Sequence, residues 1–210
     1  MTGILIVDDH EVVRRGLEQV LAEGFVGARF GHAATSAAAL ARLSEEPWDL
    51  ALVDVNLPGR NGLDLLEEVR QRWPRLRVLV LSAYPEEEFA IRSIRLGAAG
   101  YVTKDSASDE LVTAARKVLE GGRYVTGTLA ERLAAVLGGS AAPERHEALS
   151  TRELQVLRLV ASARTLKEIA GELHLSEKTI ATYRARISQK LGLGSNVELT
   201  RYALQHGLAD

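Results

Sequence analysis

The chain has 210 residues, which is enough for two small domains. Hydrophobic residues make up 46% and aromatic residues 5%, so the core must be mainly aliphatic, and the absence of cysteine excludes disulfides and thiolate metal sites. The formal net charge of −2 is uneven: residues 1–143 carry 16 basic and 20 acidic side chains, whereas residues 144–210 carry 10 basic and 8 acidic ones, as expected of an acidic regulatory half and a basic nucleic-acid-binding half.

The N-terminal segment MTGILIVDDH has no basic region ahead of an apolar core, so we expect it to form the first strand and not a signal peptide. No apolar run approaches the roughly 20 residues that a transmembrane helix needs. Together with the lack of cysteine, this predicts a cytoplasmic protein with no membrane partner.

Short apolar runs alternate with amphipathic stretches over the first 120 residues. The predicted strands are Gly3–Val7, Ala28–Ala33, Leu50–Asp54, Val78–Leu81 and Gly100–Thr103. The predicted helices are Val12–Leu21, Ser36–Leu43, Leu63–Arg72, Glu86–Leu96 and Asp109–Glu120. This alternation indicates a five-stranded parallel sheet that is covered on both faces, and right-handed crossovers favour an α/β flavodoxin-like winding.

The pattern changes after Glu120, where Gly121–Gly122 is expected to end the last of these helices. A lone short helix is predicted at Leu129–Leu137, and the segment GGSAAPERHE at 138–147 is typical of a linker. We therefore predict a first domain at 1–121, a linker with a short helix at 122–147, and a second domain at 148–210.

The second domain is predicted to be all α-helical, with four helices. Ser150 or Thr151 is expected to cap the first helix, with Glu153 in its first turn, and the turn Arg164–Thr165 follows it. The other predicted helices are Lys167–Leu173, Thr179–Leu191 with Ser176 as its cap, and Val197–His206.

Polar side chains follow the predicted strands at the points where the strands end. Asp8 and Asp9 follow the first strand, Asp54 ends the third, Ser82 follows the fourth, and Lys104 follows the fifth. Because ligands of parallel α/β sheets bind at the carboxyl ends of the strands, we expect these five side chains to converge.

Such a cluster suits metal-assisted phosphoryl transfer to a carboxylate. Carboxylates in close proximity attract a hard cation, and Mg²⁺ prefers oxygen ligands. One of the carboxylates is then available as a phosphoryl-accepting nucleophile, while the metal ion and an ammonium group neutralise the phosphoryl oxygens.

The segments that form this cluster are ILIVDDH, LALVDVNLPGRNGLDLL, VLVLSA and AAGYVTKD. They resemble the receiver domain of two-component response regulators, over about residues 1–120. The resemblance implies a phosphoacceptor role for Asp54, ligation of Mg²⁺ (or Mn²⁺) by Asp8, Asp9, Asp54 and the backbone carbonyl of Asn56, phosphoryl contacts for Ser82 and Lys104, and a switch role for Ser82 and Tyr101. It also implies a sensor histidine kinase as partner and no separate substrate, since a receiver promotes only its own phosphoryl transfer and loss.

Two features of this region qualify the resemblance. Asp105 stands where many receivers have a proline after a cis peptide bond. Asn56 and Tyr84 lie two residues after Asp54 and Ser82, at positions that tune phosphoryl lifetime in the family.

The third helix of the second domain has one apolar and one polar, basic face. Ile180, Ile187 and Leu191 share the apolar face. The polar face suits the DNA major groove, where Lys and Arg meet phosphates and Thr and Arg meet base edges. The candidate contacts to double-stranded DNA are Lys178, Thr179, Thr182, Tyr183, Arg186 and Lys190, on a recognition helix at 176–191.

The segment from LSTRELQVLRLV to LTRYALQHGL is similar to the LuxR/NarL/FixJ helix-turn-helix domain, over about residues 148–208. It departs from that family at Ala163, which replaces a frequent glycine, and at Leu166, Ala181 and Tyr183. The last helix is expected to supply a homodimer contact through Val197 and Tyr202, because a single small module rarely buries enough DNA contact for a specific site.

Two alternatives remain open at this stage. One is an enzyme or a flavin binder on the same α/β fold, although the sequence has no GxxxxGK phosphate loop and its five histidines are scattered. The other is an atypical regulator that binds DNA as a dimer and is never phosphorylated.

Overall fold

The computed structural model describes residues 1–83, 86–105, 108–137 and 144–209. Tyr84 and residues 138–143 of the predicted linker lie outside the described residues. The chain forms two compact units, Met1–Leu137 and Gly138–Asp210. Within the described ranges, no helix has the length and apolar character that crossing a membrane requires.

The first unit is a five-stranded parallel sheet with helices between the strands. The strands are β1 Gly3–Val7, β2 Arg29–Ala33, β3 Leu50–Asp54, β4 Arg77–Ser82 and β5 Gly100–Thr103. The helices are α1 Glu11–Gly24, α2 Ser36–Glu45, α3 Gly62–Arg72, α4 Glu86–Arg95, α5 Ser108–Leu119 and α6 Gly127–Leu137. The strand order β2-β1-β3-β4-β5 confirms the flavodoxin-like fold that the alternating pattern predicts.

The middle strands are apolar along their whole length because both faces of the sheet are covered. Every residue of β1 and β3 is buried. Ile4, Leu52 and Leu79 lie in an aliphatic core that also contains residues of α1 and α5. This burial is what a parallel sheet with helices on both faces requires.

Three backbone hydrogen bonds extend the strand pairing beyond the carboxyl ends of the strands. The N–H of Asp8 donates to Ala33 O at 3.1 Å, and the N–H of Val55 donates to Leu81 O at 3.0 Å. The N–H of Lys104 donates to Ser82 O at 2.7 Å. Residues just after β1, β3 and β5 are therefore held as rigidly as the strands themselves.

The region between the two predicted domains is divided between the compact units. Helix α6, which the sequence places in the linker, packs against α4 within the first unit. A 3₁₀ turn at Arg145–Ala148, which the sequence does not predict, belongs to the second unit.

Within its described residues, 144–209, the second unit continues with α7 Thr151–Ala161, α8 Leu166–Glu172, α9 Glu177–Leu191 and α10 Asn196–Gln205. This order of helices confirms the predicted helical domain. Helices α7, α8 and α10 each begin with a capping box, in which a Ser or Thr and the Glu three residues later satisfy each other's backbone N–H groups. Ser176 caps α9 by accepting the N–H of Thr179, as its position predicts.

Helices α7 and α8 end in left-handed residues that are not glycine. Ala163 has φ 58° and His174 has φ 52°. After α7, the N–H of Ala163 donates to Val160 O and the N–H of Arg164 donates to Leu159 O, which is the hydrogen-bond pattern of a Schellman cap. A left-handed conformation costs a residue with a Cβ about 1–2 kcal/mol, so this cap carries backbone strain.

We expect Ala163→Gly to stabilise the second unit by roughly 0.5–1 kcal/mol, because glycine adopts the required φ without a steric penalty. Urea unfolding followed by far-UV circular dichroism measures this change. Ala185→Gly, at an exposed position inside α9, is the matched control and should destabilise by about 1 kcal/mol. Equal destabilisation by the two substitutions would show that Ala163 is not strained.

Candidate functional site

An ammonium group bridges two buried carboxylates at the carboxyl edge of the sheet. Lys104 Nζ donates to Asp8 Oδ2 at 2.6 Å and to Asp54 Oδ2 at 2.8 Å. Asp8 is 0% exposed and Asp54 1% exposed. The structure thus brings together three side chains that lie after β1, β3 and β5 and are far apart in the sequence.

Burial and neighbouring charges shift the pKa values of both Asp54 and Lys104. Burial raises the pKa of Asp54 above its ordinary value, and the charge of Asp8 acts in the same direction, while Lys104 opposes both. Burial alone would lower the pKa of Lys104, but the charges and hydrogen bonds of Asp54 and Asp8 outweigh it and raise that pKa. The two carboxylates therefore favour the charged form of Lys104, and Lys104, together with the backbone N–H of Asn56, favours ionised Asp54.

The same edge of the sheet offers oxygen ligands for a divalent cation. Asp8 and Asp9 each present a carboxylate oxygen, His10 beside them presents a ring nitrogen, and these three ligand atoms all lie within 4.8 Å of one another. Asp54 Oδ1 is buried and, within the described part of the chain, accepts no hydrogen bond of normal geometry, although the backbone N–H of Asn56 lies close enough to the Asp54 carboxylate to act toward a lower pKa. An oxygen of this kind is costly to bury without a compensating interaction, so the site fits a hard cation such as Mg²⁺.

The remaining predicted residues of this site lie on or next to β3, β4 and β5. Ser82 ends β4 and is 0% exposed, and its carbonyl accepts the N–H of Lys104. Tyr101 lies on β5 and is also fully buried. Asn56 follows β3 by two residues and is half-buried. The second predicted tuning position, Tyr84, lies outside the described residues.

Gly62 is a site residue that the sequence analysis did not single out. A Cβ at Gly62 would lie 1.9 Å from the carbonyl oxygen of Asp54 and 3.0 Å from the Val53 side chain. Its N–H also donates to Val55 O at 3.0 Å. The first residue of α3 therefore packs directly on the backbone that carries Asp54, and only glycine fits there.

The described part of α9 presents its predicted polar face to solvent. Lys178, Thr182 and Arg186 lie four residues apart and are exposed, while Thr179 and Tyr183 beside them are half-buried. On the opposite face, Ile180, Ile187 and Leu191 are buried. The geometry thus agrees with an inward apolar face and an outward basic one.

Lys190 is engaged within the second unit. Its Nζ donates to Glu153 Oε2 at 2.7 Å and to Ala148 O at 3.2 Å. The Glu153 side chain is 4% exposed, so the ion pair joins the C-terminal end of α9 to the capping box of α7. This contact distinguishes Lys190 from Lys178 and Arg186, although spacing alone groups all three as DNA contacts.

The two predicted dimer residues on α10 have different surroundings. Val197 is 78% exposed. Tyr202 is half-buried, and its hydroxyl accepts the N–H of His146 at 3.2 Å within the same chain. Leu204, which was not predicted, is a second exposed apolar residue of α10, at 49% exposure. Val197 and Leu204 are therefore the exposed apolar side chains that α10 offers.

We expect Gly62→Ala to lower the free energy of unfolding of the first unit by about 1–3 kcal/mol, because the new methyl group overlaps the Asp54 carbonyl. Tryptophan fluorescence during urea unfolding reports on this unit, since both tryptophans, Trp48 and Trp73, lie in it. Gly16→Ala is the matched control: a Cβ there meets no atom within 4 Å, and alanine should stabilise α1 by about 1 kcal/mol. A neutral Gly62→Ala variant would contradict the close packing.

We expect the second unit to lose stability in acid through Glu153. Burial alone would raise the pKa of Glu153, but the hydrogen bonds from Lys190 and Ser150 outweigh it and lower that pKa. The stabilisation is therefore present above the unfolded-state pKa of about 4.3 and is lost as the pH falls through the folded-state value.

Glu153→Gln should remove this part of the acid sensitivity, because glutamine retains the capping box but does not titrate. The measurement is the urea midpoint of the second unit between about pH 3 and 7. Glu172→Gln, at an exposed position of α8, is the control and should leave the pH dependence unchanged. The assignment to Glu153 fails if both variants keep the wild-type profile.

Comparison with known protein families agrees with both units. The chain matches the response regulator receiver domain over residues 4–116 and the LuxR family of bacterial regulatory proteins over residues 147–203. It is 36% identical to the response regulator GacA of Pseudomonas aeruginosa over 214 residues, covering 100% of this chain and 99% of that protein. It is 33% identical to the response regulator UvrY of Escherichia coli, covering 100% of this chain and 97% of that protein.

Solved structures give the same assignment. The chain is similar to RcsB from Salmonella enterica serovar Typhimurium, bound to the promoter rprA in the presence of the phosphomimetic BeF₃⁻, with a TM-score of 0.64 and 25% sequence identity. This match covers 96% of this chain and 97% of RcsB. The chain therefore belongs to the response regulators in which a receiver domain is followed by a LuxR-type regulatory domain.

Proposed function

We propose that a sensor histidine kinase phosphorylates Asp54 and that this modification controls DNA binding by a homodimer. The observation that carries the proposal is the bridge from Lys104 to Asp54 and Asp8, beside the buried Asp54 Oδ1. This arrangement supports the presence of a nucleophile, its counter-ion and a cation site at one edge of the sheet.

The phosphoryl transfer follows from these groups. An oxygen of ionised Asp54 attacks phosphorus and forms an acyl phosphate, while the bond from phosphorus to the imidazole nitrogen of the kinase breaks. Lys104 favours ionised Asp54 before the attack and would pair with the phosphoryl oxygens after it. Asp8, Asp9, Asp54 and the carbonyl of Asn56 would hold Mg²⁺, which when bound neutralises charge on those oxygens. The acceptor is the chain's own carboxylate, so no separate substrate is assigned.

The signal would spread from Asp54 through the ends of β4 and β5. Phosphorylation adds about −1.5 to −2 charges at pH 7. In this proposal the hydroxyl of Ser82, buried at the end of β4, would bond the new phosphoryl group, and Tyr101 on the neighbouring strand would follow it. We assign the two-state behaviour to this edge of the first unit.

In this proposal the exposed face of α9 contacts the DNA. Lys178, Thr182 and Arg186 face solvent, with Thr179 and Tyr183 beside them. The related RcsB structure is bound to a promoter, which supports double-stranded DNA as the partner. Val197 and Leu204 are the apolar side chains from which a contact between two copies would be built. A DNA partner places the working protein in the bacterial cytoplasm.

We expect acetyl phosphate and Mg²⁺ to change the DNA affinity of the wild-type protein but not of Asp54→Asn, which lacks the nucleophile. The probe is a DNA fragment selected from the source genome by the wild-type protein, and fluorescence anisotropy measures the affinity. Asp49→Asn, a control at a carboxylate away from the site, should retain the response. Equal affinity of the wild-type protein before and after acetyl phosphate would refute phosphorylation control.

We expect Arg186→Ala to weaken binding to the same fragment by about 1–3 kcal/mol without loss of folding stability, since Arg186 is an exposed side chain on the face of α9 that is proposed to contact DNA. Lys190→Met should instead lower the unfolding free energy of the second unit by roughly 1–3 kcal/mol, because it leaves buried Glu153 without its cation. The proposed face is wrong if Arg186→Ala binds DNA as tightly as the wild type.

A further inference from the structure

A second group of metal-ligating side chains lies in the second unit, away from the receiver site. Glu144, His146 and His206 present ligand atoms that all lie within 4.8 Å of one another. Glu144 precedes the 3₁₀ turn, His146 lies within it, and His206 caps the C-terminal end of α10. The group therefore joins the first described residues of the second unit to its last helix.

The three side chains converge on one carboxylate oxygen. His146 Nδ1 lies 3.6 Å from Glu144 Oε2, and His206 Nδ1 contacts the same oxygen at a shorter distance. The side chains are 47% exposed at Glu144, 18% at His146 and 31% at His206. The group is thus partly sheltered but open to solvent on one side, so an ion can enter and can retain a water ligand.

Neighbouring contacts fix the orientation of both imidazole rings. The Tyr202 hydroxyl lies 3.2 Å from His146 Nδ1 and accepts the backbone N–H of His146. The Tyr202 and His206 rings stack with centroids 4.2 Å apart, and the two histidine rings meet edge to face at 5.6 Å. Arg145 Nη1 donates to Leu191 O and holds the turn against the end of α9. Two imidazoles and a carboxylate are therefore positioned before any ion binds.

We propose that Glu144, His146 and His206 form a binding site for a divalent transition metal ion, with Zn²⁺ as its best-suited occupant. Two imidazole nitrogens and one carboxylate oxygen are a recurrent three-ligand set for Zn²⁺, with water in the fourth position. Mg²⁺ selects oxygen ligands and would remain at the receiver site. Tyr202 is a positioning residue in this arrangement.

By coordinating residues from both segments, the ion would link the start of the second unit to its last helix. Without metal, the contact between His206 Nδ1 and Glu144 Oε2 makes the weaker form of the same connection. Zn²⁺ links all three side chains at once. Because metal binds the folded unit only, it should also raise the unfolding temperature of that unit in proportion to its affinity.

The test is a Zn²⁺ titration of the full-length protein by isothermal calorimetry, in buffer with excess Mg²⁺ to occupy the receiver site. We expect one Zn²⁺ per chain, with affinity reduced about tenfold or more in both His146→Ala and His206→Ala. His174→Ala, at an exposed histidine of the second unit outside both metal-ligating groups, is the control and should retain the wild-type Zn²⁺ affinity. Far-UV circular dichroism without metal confirms that each variant is folded.

Two outcomes would overturn the proposal. One is Zn²⁺ binding that His10→Ala abolishes and His206→Ala leaves intact, which would assign the ion to the receiver carboxylates. The other is no Zn²⁺ binding at all, which would identify the group as a plain ion pair. His206→Gln gives a second check, because it keeps a hydrogen-bonding side chain next to Glu144 and should still lose Zn²⁺.

Discussion

The receiver site depends on one ammonium group held between two buried carboxylates. Asp8 and Asp54 are both almost completely inaccessible to solvent, and two such charges at one strand edge repel each other unless a cation lies between them. Lys104 supplies that cation, and its backbone N–H is fixed by Ser82 at the end of β4. The parallel sheet brings the three residues together, so the contacts that stabilise this edge of the sheet are also the contacts that form the site.

This arrangement also explains why the site is ready for a second cation. One ammonium offsets two carboxylates only in part, and Asp9 adds a third carboxylate at the same edge. The buried Asp54 Oδ1 accepts no hydrogen bond of normal geometry in the described part of the chain. A divalent ion would complete the charge balance, which is consistent with metal-dependent phosphoryl transfer to Asp54.

Much of the fold and of the receiver site could be predicted from sequence because apolar strands and polar residues at their ends are local patterns. Contacts between distant residues could not be predicted in the same way. Spacing on α9 groups Lys190 with Arg186, but the buried partner of Lys190 is Glu153, on another helix. Likewise, nothing near Gly62 in the sequence shows that its Cβ would overlap the carbonyl of Asp54. In the same way, the position of Tyr202 on α10 could be predicted from the sequence, whereas its contact with His146 could not.

A double-mutant cycle between Lys104 and Asp54 tests the central interaction most directly. Urea unfolding of the wild type, Lys104→Met, Asp54→Asn and the double variant is followed by tryptophan fluorescence in metal-free buffer. We predict a stabilising coupling energy of about 1 kcal/mol or more, within the range of residues in direct contact. Additive effects of the two substitutions, within about 0.3–0.5 kcal/mol, would show that the bridge does not hold the site together.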